Sequence, residues 1–344
     1  MSIPPQVLPE NDPLRPAMEH AALAKRTGIS CALRTTDLDA WTVKARAKLV
    51  SLLRMPTYDG LKLRRVDEGT INLPEGRVQR FTLYADDEAF AIPCLLAWPH
   101  KPVQTPAPLM VCLQGHSNGM HVSVGLDPDD WSAQPDDGDR DIARQCMARG
   151  IVALCIEQRG FGRRRDSPEN RTDCNLMAAR SLALGRTLTG ERVADVRLAF
   201  DHVLASHPFD VQRLGIMGNS SGGTVAMFAG ATDDRYKLVV ASCSFGGFDD
   251  SRLIWPHCIC GCIPEFRLHM DMPEVLAIRI PQPAIIIGGE SDYHIKPTPL
   301  RQAFETLHNA YTAAEAADHC RLEIGDGGHR FYADLAWPHI DALL

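Results

Sequence analysis

Six short apolar runs constrain this chain more than any other feature of its sequence. They cover residues 108–113, 151–156, 213–217, 238–243, 283–287 and 321–324. Most are built from Leu, Ile, Val, Met, Ala and Cys, the composition of strands buried on both faces. Helical patterns lie between them. Residues 190–205 place Val193, Val196, Phe200, Val203 and Leu204 on one face. Residues 139–149 and 298–316 also read as helices, and 220–230 opens another. Strands alternating with helices predict an α/β fold with a mostly parallel central sheet covered on both sides. Two antiparallel strands, 79–84 and 90–98, precede the series, joined by the acidic turn Asp86-Asp87-Glu88.

The remaining organisation follows from the gaps. Residues 1–20 are proline-rich and predict an extended arm. Residues 37–54 predict a helix capped by Asp37 or Asp39, with Trp41, Ala45, Leu49, Leu52 and Leu53 as its apolar stripe. The expected division is an N-terminal arm and helical extension over 1–77 and a catalytic domain over 78–344. Two connections, about 160–188 and 244–280, are too long to be simple turns and are expected to form cap insertions. Long loops in α/β domains gather at the carboxyl ends of the strands, where ligands bind.

Composition excludes several classes of function. The net charge of −7 and the absence of a Lys/Arg run argue against nucleic acid as a partner. Arg163, Arg164 and Arg165 form only a short loop cluster. No stretch of about 18 uncharged apolar residues exists to span a bilayer, and the N-terminus lacks the basic and apolar regions of a secretory signal. The eleven cysteines are an odd number, and Cys94, Cys112, Cys155 and Cys243 each lie inside an apolar run. They read as buried small hydrophobes in a reducing, cytoplasmic setting.

The sharpest chemical signal is Gly218-Asn219-Ser220-Ser221-Gly222, between an apolar run and a small-residue helix. This is G-x-S-x-G in strand–turn–helix context. The turn is so tight that the residues two before and two after the serine must be small; the hydroxyl then projects from the turn. Gly223 would let the helix pass close to a neighbouring strand. Ser220 is therefore the candidate nucleophile. Ser221 is the rival hydroxyl but lacks small residues placed symmetrically about it.

A serine needs a base, and the base needs an orienting acid. The acid is expected where run 283–287 passes into a polar loop ending at Asp292; Glu290, Asp249 and Asp250 are rivals, and a turn or helix-cap role is the plain alternative for Asp292. The base is expected in the loop after the last strand, Gly325-Asp326-Gly327-Gly328-His329, whose glycines let it fold back over the sheet. His319 and His339 read as structural, and His294 lies on the wrong loop. A tetrahedral oxyanion also needs N–H donors. Those expected are the backbone N–H of Ser221 and of His116, the latter in Gln114-Gly115-His116-Ser117-Asn118-Gly119, where Gly115 permits the turn.

Together these residues resemble the α/β-hydrolase superfamily, from about residue 79 onward, in the chain order Ser, Asp, His. Within it the chain is most similar to the dienelactone-hydrolase-like and acetyl-xylan-esterase-like branches. Those share the Q-G-x oxyanion loop, matched by Gln114-Gly115-His116, and an R-G-x-G turn, matched by Arg159-Gly160-Phe161-Gly162. The resemblance implies a Ser220–Asp292–His329 triad, with Arg159 bracing the site. It implies a cofactor-free serine esterase acting on a small-molecule ester, with short-acyl or acetyl esters, including those of carbohydrates, as the expected substrates. Amide or peptide hydrolysis by the same triad, and ligand binding without catalysis, are the alternatives. The oligomeric state stays open. The chain departs from these branches in several places. Dienelactone hydrolases proper use cysteine where this chain has Ser220, and Phe161 and Arg330 replace the R-G-Q and H-E patterns of deacetylases. Prolyl-oligopeptidase catalytic domains share the elbow, but the leading residues here are too few for a propeller.

His257-Cys258-Ile259-Cys260-Gly261-Cys262 matches no zinc spacing and reads as a cap segment whose cysteines pack as hydrophobes, so no metal is expected there. Trp255 and Phe266 are expected to wall the substrate pocket nearby. The aspartates of 127–141 fail the calcium-loop template because Trp131 falls where a ligand belongs, leaving a solvated loop. Gly160-Phe161-Gly162 lacks the third glycine and the helix of a dinucleotide site.

Overall fold

The computed structural model describes every residue except 1–11, 59, 87–88, 102, 104, 118, 135–137, 168–171 and 250–257. Nine strands form one sheet in it: β1 (Leu63–Leu73), β2 (Gly76–Ala85), β3 (Ala91–Pro99), β4 (Ala107–Leu113), β5 (Val152–Ile156), β6 (Phe209–Asn219), β7 (Leu238–Ser242), β8 (Ala284–Gly289) and β9 (Cys320–Gly325). Their order is β1-β2-β3-β5-β4-β6-β7-β8-β9. The first three strands and the β3–β5 pair are antiparallel, and the rest of the sheet is parallel. All six apolar runs are strands, and the architecture is that of an α/β-hydrolase.

The strand sequences explain the layering. Successive side chains leave a strand on opposite faces. In β4, Leu109, Val111 and Leu113 enter one core while Met110 and Cys112 enter the other. In β8, Ala284 and Ile286 separate from Ile285 and Ile287 in the same way. The first core is covered by α2 (Leu38–Leu53), α5 (Leu188–Ser206), α6 (Ser221–Thr232), α8 (Met272–Ala277) and α9 (Pro297–Ala313); the second by α3 (Ile142–Ala148) and α10 (Ala333–Asp341). Both faces are buried, so the strands lose the alternation of polar and apolar residues and read as continuous apolar runs.

Several expectations need correction. The proline-rich start is not wholly an extended arm: α1 (Pro16–Arg26) begins with a proline in its first turn, where the missing N–H costs nothing. Residues 1–11 lie outside the described residues. The sheet starts at Leu63, ahead of the expected boundary at residue 78; β1 is polar and only partly buried, which hides it. The two long connections are partly helical. The first carries α4 (Cys174–Ala183), and the second carries α7 (Phe266–His269) and α8. Phe266 walls no pocket: it is 1% exposed and packs on Phe228 and Phe248. Trp255, His257, Asp250 and much of the turn at 86–88 fall outside the described residues.

The helix α2 follows its stripe closely. Asp37 accepts a hydrogen bond from the Ala40 N–H at 3.4 Å, and Trp41, Ala45, Leu49, Leu52 and Leu53 are all buried. Its C-terminus lies against α5: the Leu53 carbonyl accepts a 2.6 Å hydrogen bond from Thr187 Oγ1. A Cβ at Gly190 would fall 2.0 Å from the same carbonyl. Gly190→Ala is therefore expected to destabilise by about 1–3 kcal/mol through overpacking. Thermal denaturation should show a Tm lower by several degrees, and an unchanged Tm would refute the contact.

Candidate active site

Strand β6 delivers Ser220 in a conformation that L-residues avoid, with φ 56° and ψ −122°. Such backbone costs about 1–3 kcal/mol and persists only when its surroundings enforce it. Here the enforcement is visible. The Ser220 N–H donates to the Ser242 carbonyl at 2.7 Å, and the Thr224 N–H donates to the Ser220 carbonyl at 3.0 Å. The flanking glycines are sterically required. A Cβ at Gly218 would lie 2.3 Å from the Gly222 carbonyl carbon, and one at Gly222 would lie 2.2 Å from the Leu113 carbonyl oxygen. At Gly223 a Cβ would meet Ser244 Oγ at 2.3 Å, the close passage expected of that glycine.

Loops after β8 and β9 meet beside the serine. His329 Nδ1 donates to Asp292 Oδ2 at 2.8 Å. The other carboxylate oxygen, Oδ1, accepts the N–H of His294 at 2.8 Å and of Ile295 at 3.2 Å. Asp292 thus makes the turn and orients the imidazole with separate oxygens. Burial alone would raise the Asp292 pKa. The hydrogen bond and charge of His329, together with the two N–H donors, outweigh that and hold it below the usual value. The rivals are engaged elsewhere: Glu290 with Arg301 at 2.7 Å, and Asp249 with Arg267. The loop geometry follows from its glycines. A Cβ at Gly289 would sit 2.2 Å from the Gly328 carbonyl, and the Ser291 N–H donates to the Gly327 carbonyl at 2.9 Å.

The loop after β4 closes the third side. A Cβ at Gly115 would lie 2.8 Å from both the Asn219 carbonyl oxygen and Ser220 Cβ, so only glycine lets this loop touch the elbow. Ser220, His329, Gly115 and His116 all line one cavity of about 650 Å³. Ser221 opens α6, where the first N–H groups have no partner within the helix.

Arg159 lies behind this arrangement. Its guanidinium grips Asp195 in a fork, Nε to Oδ2 at 2.8 Å and Nη2 to Oδ1 at 2.9 Å, and reaches Glu191 and Tyr58. Its backbone carbonyl accepts two hydrogen bonds from Arg192, and Arg192 Nη1 donates to Ser221 Oγ at 3.0 Å. Arg164 also pairs with Asp195, and Arg163 with Glu68, while Arg165 Nε donates to the Gly162 carbonyl at 2.9 Å, so the short arginine cluster is engaged within the fold.

Sequence reasoning missed several cavity residues. Tyr293, His294, Arg140 and Arg330 all line it. His294, set aside as lying on the wrong loop, meets the His329 ring edge-on at 4.9 Å. Arg330 pairs with Asp139 at 2.6 Å. Glu157 was also missed. It is fully buried, accepts the Met120 N–H at 2.9 Å, and has its pKa pushed up by desolvation to about 7. Its only sequence signal was a carboxylate ending an apolar run. His319 and His339 make peripheral contacts, with the Pro281 carbonyl and Glu323.

The Asp292 carboxylate carries a depressed pKa, so its contribution to stability is present above the unfolded value of 3.8 and lost as pH falls through the folded one. Asp292→Asn should therefore lower Tm at neutral pH, and the gap to the parent protein should close as pH drops below about 3.8. A gap independent of pH would mean that the carboxylate is not paired in solution.

The comparisons with known proteins agree with this architecture. The sequence profile of the prolyl oligopeptidase family matches residues 182–333, a span that includes Ser220, Asp292 and His329. Among curated proteins, YtaP of Bacillus subtilis (strain 168), a hydrolase by name, is 26% identical over 238 residues, covering 67% of this chain and 76% of its own length. The carbohydrate esterase MZ0003, from an unknown prokaryotic organism, is 25% identical over 163 residues, and the match spans 42% of this chain and only 35% of that protein. Among solved structures, one assigned as an acetyl xylan esterase of Bacteroides fragilis NCTC 9343 superposes with a TM-score of 0.71 at 15% identity, covering 93% of this chain and 84% of that one. A glucuronoyl esterase from Solibacter usitatus gives 0.64 at 16%, covering 92% and 98%. Strand order, elbow and these likenesses together show that the chain has the α/β-hydrolase fold.

Proposed function

We propose that the protein is a serine hydrolase of carboxylic esters and that its substrate is a short-acyl ester of a polar, carbohydrate-like alcohol. The observation that carries this reading is the 2.8 Å bond from His329 Nδ1 to Asp292, on the same cavity as the strained Ser220. With Nδ1–H donated to the carboxylate, Nε2 is the basic nitrogen. Ser220 Oγ attacks the ester carbonyl, His329 takes its proton and passes it to the leaving alcohol, and Asp292 stabilises the imidazolium. The N–H groups of Ser221 and His116 receive the oxyanion, a role worth about 3 kcal/mol for each donor. Water then hydrolyses the acyl-enzyme by the reverse steps.

The lining supports the polar alcohol. Among the described residues it holds Arg140, Arg330, Tyr293, His294 and Gln114, and no Leu, Ile, Val, Met or Phe. Among the described residues a long acyl chain would find no apolar wall there, whereas sugar hydroxyls would find donors and acceptors. The carbohydrate esterase relative points the same way. The prolyl oligopeptidase profile favours a second reading, amide hydrolysis by the same groups. No described helix is long and apolar enough to cross a membrane.

Turnover should be measured on esters from acetyl to decanoyl, on acetylated sugars and on an aminoacyl anilide. Acetyl and sugar esters are expected to lead, and Ser220→Ala should cut kcat by about 10³-fold or more. Activity that survives this substitution would identify a different nucleophile, and a faster anilide would favour the amidase.

A further inference from the structure

Behind the loop that follows β4, three segments bring together one imidazole and three thiols. His116 comes from that loop, Cys174 is the first residue of α4, and Cys258 and Cys260 lie on the short turn at 258–261. One ligand atom from each falls within 4.8 Å of all the others. We propose that His116, Cys174, Cys258 and Cys260 form a tetrahedral Cys3His site for zinc, tying the loop after β4 to both insertions.

The donor set is that of closed structural zinc sites, in which four soft or borderline ligands fill the coordination sphere. Zn–S bonds of about 2.3 Å and Zn–N bonds of about 2.0 Å place tetrahedral ligand atoms about 3.5–3.8 Å apart. His116 Nε2 and Cys260 Sγ are already 3.4 Å apart. Two of the three sulfurs also have hydrogen-bond donors of the kind that orient and tune metal ligands. The Cys260 N–H donates to Cys258 Sγ at 3.4 Å, and the Arg192 guanidinium donates to Cys174 Sγ at 3.3 Å. Arg192 is itself 2% exposed, so its charge acts on the sulfur with little screening.

Burial grades across the site as a bound ion needs. Cys174 and Cys260 are buried, while His116 and Cys258 are half-buried and line the cavity, which gives the ion a way in. Loading the site turns the thiols into thiolates and releases their protons to solvent. The exposed neighbour Cys262 is outside the cluster. The consequence for the cavity is mechanical. The metal would fix the His116 ring, and with it the backbone whose N–H is the proposed oxyanion donor, without touching substrate.

The readout is the metal itself, independent of any ester. Protein expressed with zinc and dialysed against buffer free of chelator is expected to hold one zinc per chain. Cys258→Ser combined with Cys260→Ser should reduce this to background, and Cys262→Ser should retain it. Should the double variant fail to fold, chelator-stripped wild-type protein reloaded with Co(II) decides the matter. An intense thiolate charge-transfer band with tetrahedral d–d bands is expected. A weak octahedral spectrum, zinc retained by the double variant, or a disulfide between these cysteines in freshly isolated protein would each overturn the site.

Discussion

The steric closeness of three backbone segments at Ser220 governs the rest of the site. The end of β4, the end of β6 and the start of α6 approach so nearly that Gly115, Gly218 and Gly222 have no room for a Cβ. That closeness holds the serine at positive φ. It also brings the loop after β4 against the elbow, so nucleophile and proposed oxyanion donors are set by one packing event. The hydroxyl's direction therefore depends on the two flanking parallel strands and the helix behind them, not on the serine's own preferences.

Charge extends this packing inward. Asp195, buried and held ionised by two guanidinium partners, anchors Arg159, whose carbonyl anchors Arg192, which reaches the Ser221 hydroxyl. Burial would raise the Asp195 pKa, but the charges and hydrogen bonds of Arg164 and Arg159 reverse that. Ion pairs this deep are weak contributors to net stability but costly to break, since removing one partner strands a buried charge. Their use here is positional: a chain of directional bonds runs from the turn after β5 to the residue beside the nucleophile. Glu157 does similar work from the same strand end, accepting the Met120 and Arg163 N–H groups with its two oxygens.

Much of this was legible in the sequence because the responsible constraints are local. The apolar runs declare buried strands, the elbow glycines declare a tight turn, and Asp292 and His329 each follow a strand end. The stripe Trp41, Ala45, Leu49, Leu52, Leu53 declares the buried face of α2. What escaped depends on partners far away in the chain. Strand β1 owes its place to pairing with β2, and its own residues, such as Arg65 and Asp67, are polar. His294 owes its nearness to His329 to how two loops fold together. Phe266 looked like a pocket wall because it lies near a predicted cap, yet its ring completes the core under α6.

The thiol cluster is the clearest instance of the same limit. Read along the chain, Cys258, Cys260 and Cys262 have no zinc spacing, because that test assumes that ligands arrive in pairs from one loop. The fold instead takes Cys258 and Cys260, leaves Cys262 at the surface, and adds Cys174 and His116 from segments that no spacing rule connects. The second insertion joins the main core through Phe266 and α8, whereas α4 in the first belongs to a small separate cluster with Phe161, Leu188 and Cys260. A cluster that small buries too little apolar surface to hold a catalytic wall rigid by hydrophobicity alone. Four ligand bonds to one ion would supply that rigidity from a single point, at the place where the oxyanion loop needs it.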